Sequence, residues 1–285
     1  MGVLTRASAA LALLTLAACD SAVEPMVDFR LVHGVLLAGT DSVHIRLERA
    51  EPDLGLRSSI DDAAVTLELD DETLALPWAP GLPCVDSMSL PIVGITGCYR
   101  TGLDAPLAPG VQARLFIELP GEAPVLGHTR IPLPTTVVVL EEPWLRYPLS
   151  HPYVPVRLRW EAGPDVGRIE ARLSPLGGHE RGGDWHAGGC RIALDGAFVH
   201  DPRDGDAEIR LRDVGCPFDW DSLAVEVRST AYDTAYARYH DLAGPSSLGT
   251  RATLVAAGVD GALGVFGAAV TAVDSFHILR EPPPQ

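Results

Sequence analysis

Val111-Gln112-Ala113-Arg114-Leu115-Phe116-Ile117-Glu118-Leu119 is the longest row in the chain whose odd positions are all apolar. A period of two is what a half-buried strand imposes, because successive side chains leave the backbone on opposite faces. Working outward, Val43, Ile45 and Leu47 alternate with His44, Arg46 and Glu48, and Val65, Leu67 and Leu69 with Thr66, Glu68 and Asp70. Thr135 to Leu140 is a short β-branched run. Further on come Val154, Val156, Leu158 and Trp160, then Ile169, Ala171 and Leu173, Ile209 and Leu211, and Leu223, Val225 and Val227. Gly, Pro and Asp turns separate these rows and helical stretches are few. The pattern predicts an all-β body of two tandem β-sandwich domains, Ig-like or FN3-like.

The boundary follows from proline. Pro143, Pro148, Pro152 and Pro155 fall within 13 residues, a density that excludes a helix or a central strand. We therefore expect a first sandwich over 27–140, a Pro-rich junction over 141–152, a second sandwich over 153–280 and a disordered tail over 281–285. One short helix is expected near 232–242, where Tyr232, Tyr236 and Tyr239 share a face at i, i+4 and i+7 and pack on a sheet. Leu254 to Val273 is apolar, but Asp260 interrupts it and Gly258, Gly261, Gly264 and Gly267 punctuate it. Each Gly costs a helix about 1 kcal/mol relative to Ala, so two short strands joined by a Gly turn are expected there.

Composition narrows the function classes. The 285 residues are 47% hydrophobic and carry a formal net charge of −16. The apolar fraction excludes global disorder, and the lack of long apolar runs excludes a polytopic membrane protein. The charge argues against nucleic acid as a partner, since phosphates are repelled. All 22 basic residues are Arg. A Walker-type phosphate loop and a Lys Schiff base are therefore impossible.

The N-terminus supplies an address. Arg6 precedes an apolar stretch from Ala7 to Ala18, too short for a bilayer span of about 20 residues. It ends in Leu16-Ala17-Ala18-Cys19, which resembles the lipobox of bacterial lipoproteins. That resemblance implies a signal peptide over 1–18, cleavage before Cys19, lipidation of Cys19 and a tether over 19–26. The expected location is the bacterial cell envelope, lipid-anchored, with the outer membrane favoured. Cys84, Cys98, Cys190 and Cys216 remain, an even number in an exported chain. Of the three possible pairings, the nearest-neighbour one is Cys84–Cys98 with Cys190–Cys216.

A broader resemblance runs through the body. Val32-His33-Gly34-Val35-Leu36, Val43 to Arg49, Asp62-Ala63-Ala64-Val65-Thr66-Leu67 and Gly97-Cys98-Tyr99-Arg100 occur in that order. Leu107 to Gly110 then leads into the long strand, and Thr129 to Pro134 closes the half. Tyr236-Ala237-Arg238-Tyr239 and Gly261 to Ala268 follow near the end. The chain resembles the bacterial lipoprotein family DUF4249, departing from it at Ala63, where Gly is usual, and at Phe116, where the ring is Tyr. The resemblance implies an envelope lipoprotein beside a TonB-dependent receptor or other envelope protein, and brings no catalytic residues.

Motifs for chemistry are sparse. G-x-S-x-G is absent, and His179-Glu180 begins an H-E-x-x-H string that Gly183 ends. The best cluster is His179, Glu180, Asp184, His186, His200, Asp201, Asp204 and Asp206, in presumed loops. Within it His179, His186, Asp201, Asp204 and Asp206 are weak metal candidates, for Zn²⁺ or Ca²⁺, against a plain solvated turn. Trp185 is the weak candidate for stacking on a ligand, and Trp160 reads as core. His33, His44, His128 and His277 read as surface or packing residues, and no cofactor is expected. The expected function is a non-enzymatic binding or accessory module for an outer-membrane transport assembly of TonB-dependent type. The alternatives are a structural envelope protein and an envelope hydrolase with its site in 179–206.

Overall fold

The computed structural model describes residues 29–51, 56–70, 72–81, 97–145, 153–180, 183–186, 193–194, 198–201, 205–212, 220–243 and 255–280. Most of them lie in strands, which form three sheets, and among the described residues there is one helix, Thr234–Ala243. This is a mostly-β structure of sandwich type in the general sense. The alternation read from sequence is what the strands use. In Gln112–Glu118, Ala113, Leu115 and Ile117 are buried between exposed Gln112, Arg114 and Glu118.

The largest sheet runs in the order Gly183–His186, Val166–Glu180, Trp220–Asp233, Leu263–Arg280, Phe29–Leu37, Ser42–Glu51, Gly97–Gly102 and Trp78–Pro80. Its middle is the last strand of the chain. The first part of Leu263–Arg280 pairs in parallel with Phe29–Leu37, from Leu31↔Leu263 to Leu37↔Ala269. The second part pairs antiparallel with Trp220–Asp233, from Tyr232↔Ala269 to Ser222↔Leu279. One long strand thus joins the first and last thirds of the sequence edge to edge.

Two cores form on that sheet. Val32, Leu36, Val43, Ile45 and Leu47 pack against Val65, Leu67, Leu115, Ile117 and Val125. The second group belongs to a five-stranded sheet, Val259–Asp260, Val125–Arg130, Gln112–Glu118, Ala64–Leu69 and Glu72–Leu76. In the other core, Ile169, Leu223, Val225 and Val227 pack against Val154, Val156, Leu158, Ile209 and Leu211. These last residues come from a four-stranded sheet, Thr136–Val139, Tyr153–Glu161, Asp206–Arg212 and Ala193–Leu194. Phe266 and Ala268 enter the first core, while Val270, Phe276 and Ile278 enter the second. All five are even positions of one strand, so one face of that strand serves both cores. The cores therefore do not part cleanly at the Pro-rich segment.

Local differences from the sequence reading have physical causes. Pro155 sits inside Tyr153–Glu161, opposite Arg210. The strand on its other side, Thr136–Val139, pairs only with Leu158 to Glu161. Among the described residues no strand pairs with that side of Pro155, and an open edge is where a strand tolerates a missing N–H. The helix starts at Thr234, so Tyr232 belongs to the preceding strand. Its ring still stacks on Tyr236, 4.6 Å between centroids. Leu254 to Val273 contributes Ala256–Ala257, Val259–Asp260 and the start of the long strand. No helix among the described residues is long and apolar enough to cross a membrane.

The disulfide expectation is carried no further than Cys98: among the described residues no bridge joins two cysteines, because the other cysteines lie outside them. Cys98 is the only cysteine described; it is buried, is disulfide-bonded rather than titrating, and lies with its Sγ 3.7 Å from the Ile45 carbonyl oxygen. Cys84, Cys190 and Cys216 lie outside the described residues, as do the lipobox with Cys19, the tether and the tail. The sequence carries no local signal for a sulfur's partner, because spacing alone leaves three pairings open.

Candidate functional site

The His/Asp cluster expected in one loop is split between elements. His179 and Glu180 end Val166–Glu180, and Asp184, Trp185 and His186 lie on the next strand, where His179 faces Asp184, Gly178 faces Trp185 and Gly177 faces His186. His200 belongs to Phe198–His200 and faces Ile169 on that same long strand. From Ile169 to His179 is ten residues, about 33 Å of extended chain. The strand positions of His179 and His186 therefore lie far along the sheet from that of His200. Asp206 opens a strand of another sheet, where the Arg159 Nε lies 2.7 Å from its Oδ1 and holds the carboxyl below the usual carboxylate range. Asp204 lies outside the described residues. Among the described residues, no group of three or more His, Cys, Asp or Glu could hold a metal ion.

A different site is built where the helix leaves the sheet. Trp220–Asp233 stops pairing with the last strand at Tyr232↔Ala269, and the chain turns into Thr234–Ala243. Asp233 is the N-cap, and its Oδ1 accepts the Tyr236 N–H at 2.8 Å, satisfying one of the free donors of the first turn. Its Oδ2 accepts the Thr129 hydroxyl of the five-stranded sheet. Asp233 is 5% exposed. Burial pushes its carboxyl up, against hydrogen bonds from Thr129 and from the backbone N–H groups of Tyr236, Ala268 and Ala235. One carboxylate thus ties strand end, helix start, last strand and second sheet together. Farther along, Tyr236 packs with Val35, Tyr232 and Ala269, and His33 meets Tyr239 edge-on at 6.2 Å.

Two clefts flank this helix. The larger, about 940 Å³, is bounded by Arg114, His128, Arg130, Asp165, Asp233 and Arg238, among others. The smaller, about 690 Å³, is bounded by Trp160, Pro164, Val166, Ala237, Arg238 and Leu242 among others. Thr234 and Arg238 border both. Arg114 faces His128 across one neighbouring strand and Glu68 across the other, and Gln112 faces Arg130, so that face presents two arginines to the cleft. Arg130 is engaged, with Nε donating to the Gly110 carbonyl at 3.1 Å and Nη1 3.5 Å from Asp165 Oδ2. Arg114 and Arg238 are exposed and have no ion-pair partner among the described residues. In the smaller cleft Trp160 is buried and donates its Nε1–H to the Ser229 hydroxyl at 3.0 Å, which leaves its ring as wall.

Sequence reasoning missed this place. Its residues come from 112–130, 160–167, 233–242 and 256–260, and only the fold brings them together. The local trace was an aspartate just before a helical tyrosine pattern, a cap signal.

No family model matches the chain, and no curated protein does, so the likeness to DUF4249 rests on its short motifs alone. Among solved structures, the chain is similar to a β-glucuronidase of Parabacteroides merdae, at 14% identity and TM-score 0.19, over 71% of this chain and 24% of that one. The chain thus spans about a quarter of that protein. It is similar to a chimeric titin Z1Z2 tandem at 9% identity and TM-score 0.19, over 90% of this chain and 98% of the other. A collagen adhesin of S. aureus follows at 8% identity and TM-score 0.18, over 89% and 96%. Likenesses this distant carry no argument about fold or function.

Proposed function

We infer that the chain is a lipid-anchored protein of the bacterial cell envelope, and that its body is a non-enzymatic binding module serving an outer-membrane transport assembly of TonB-dependent type. The observation that carries the anchor is Leu16-Ala17-Ala18-Cys19 at the end of an apolar stretch preceded by Arg6. Acyl chains on Cys19, each buried CH₂ contributing about 0.8 kcal/mol, hold an acidic body at a membrane that its own charge does not seek. The body is two β-sandwich units, Ig-like or FN3-like, that share their long sheet through Leu263–Arg280. The clefts beside Thr234–Ala243 support a binding role, since they combine apolar wall with a few polar groups from several elements. The DUF4249 likeness supports the transport context.

The anchor is tested by expressing the full chain in a bacterial host with labelled palmitate and fractionating the cells. Label and protein together in the membrane fraction, with both lost in Cys19→Ala, is the expected result. An unlabelled wild-type protein in the soluble fraction overturns the reading.

A further inference from the structure

We propose that the paired clefts beside Thr234–Ala243 bind a small organic carboxylate with a compact apolar body. This rests on the binding-module reading and names the ligand class of that site.

The chain has 38 acidic and 22 basic residues, so an arginine is expected to find a carboxylate. Around the body most do: Arg49 meets Glu122, Arg157 meets Glu141, Arg159 meets Asp206, and Arg168 meets Glu170 and Asp241. Arg114 and Arg238 face the same cleft without such a partner among the described residues. They come from a strand and a helix far apart in sequence, and the fold sets both on one cleft. Three of the carboxylates beside them are committed. Asp165 lies against Arg130, Asp241 against Arg168, and Asp233 is buried under Thr129 and the first helical turn. Asp260 also borders the larger cleft, and Glu68 faces Arg114 across the neighbouring strand. An arginine fork offers paired donors that match a carboxylate's two oxygens.

The apolar half follows from Arg238. It borders the smaller cleft as well, beside Trp160, Val166, Ala237 and exposed Leu242. A carboxylate held between Arg114 and Arg238 directs the rest of its molecule along that wall. Inorganic oxyanions gain nothing there, and neutral apolar molecules lose the arginines.

The test is isothermal titration calorimetry on the full-length chain at low salt, with a matched micelle blank. The probes are phenylacetate, phenylethanol and inorganic phosphate. Saturable binding of phenylacetate is expected, weakened at least about tenfold in Arg238→Gln and in Arg114→Gln, as loss of a charged hydrogen bond implies. Both positions are exposed, and unchanged melting temperatures establish that the variants fold. The proposal is overturned if phenylacetate shows no saturable heat, if phenylethanol or phosphate binds as tightly, or if both variants bind like the wild type. Membrane anchoring with no phenylacetate binding overturns this inference alone. Binding by a protein that proves unanchored overturns the envelope reading and leaves this one standing.

Discussion

Burial and hydrogen bonding pull the Asp233 carboxyl in opposite directions. Burial dominates and raises its pKa, while Thr129 and three backbone N–H groups oppose it. A group with a raised folded-state pKa binds its proton more readily folded than unfolded, so its contribution is fully present below the unfolded value. That contribution is lost as pH rises from the unfolded to the folded value. Glu122 runs the other way. A hydrogen bond from Arg49 lowers its pKa, so its contribution is present above the unfolded value and is lost as pH falls. Urea denaturation of wild type and Asp233→Asn at pH 4 to 8 separates the two. The difference between the proteins is expected to move in favour of the Asn form as pH rises through the carboxylate range; a constant difference contradicts the account. Asp233→Ala removes the cap altogether, and loss of a cap costs about 1 kcal/mol, with a further ~1–3 kcal/mol for buried donors left unpaired.

The long last strand is where element geometry is least forgiving. Gly264 has φ +106°, and a Cβ there would meet the Val32 carbonyl oxygen at 1.9 Å. The parallel pairing with Phe29–Leu37 runs through this residue. Gly264→Ala is expected to destabilise by more than about 2 kcal/mol, from backbone strain of ~1–3 kcal/mol and the clash together; a denaturation midpoint equal to wild type contradicts this. Strands were the legible part of the fold. Val43–Leu47, Val65–Leu69, Val111–Leu119 and Leu223–Val227 alternate cleanly because one face of each is core. The helix was legible from Tyr236 and Tyr239, but Tyr232 lies on the same side without being helical, so its first turn was read too early. The segment from His179 to Asp206 was not legible. Glycine weakens its alternation, and strand pairing, not loop proximity, decides where its described residues fall. The cleft was illegible for a related reason, since Arg114, Asp165 and Arg238 border it only once strands and helix are assembled.

At the scale of the molecule, the last strand decides cooperativity. Residues 27–140 look like a complete sandwich in sequence, yet their core includes Phe266 and Ala268. A fragment of 27–140 is expected to lack a cooperative thermal transition, while the intact protein shows one; a sharp transition in the fragment contradicts this. Phe266→Ala, at 0% exposure, is expected to cost about 3–5 kcal/mol. The same strand places the helix and its clefts between the two cores. The measurement that tests this account most directly is co-purification from detergent-solubilised native membranes, with Cys19→Ala as control. A TonB-dependent receptor or similar transport assembly is expected to elute with the wild type and to be absent from the control. Wild-type protein eluting alone, at the size of a monomer, contradicts it.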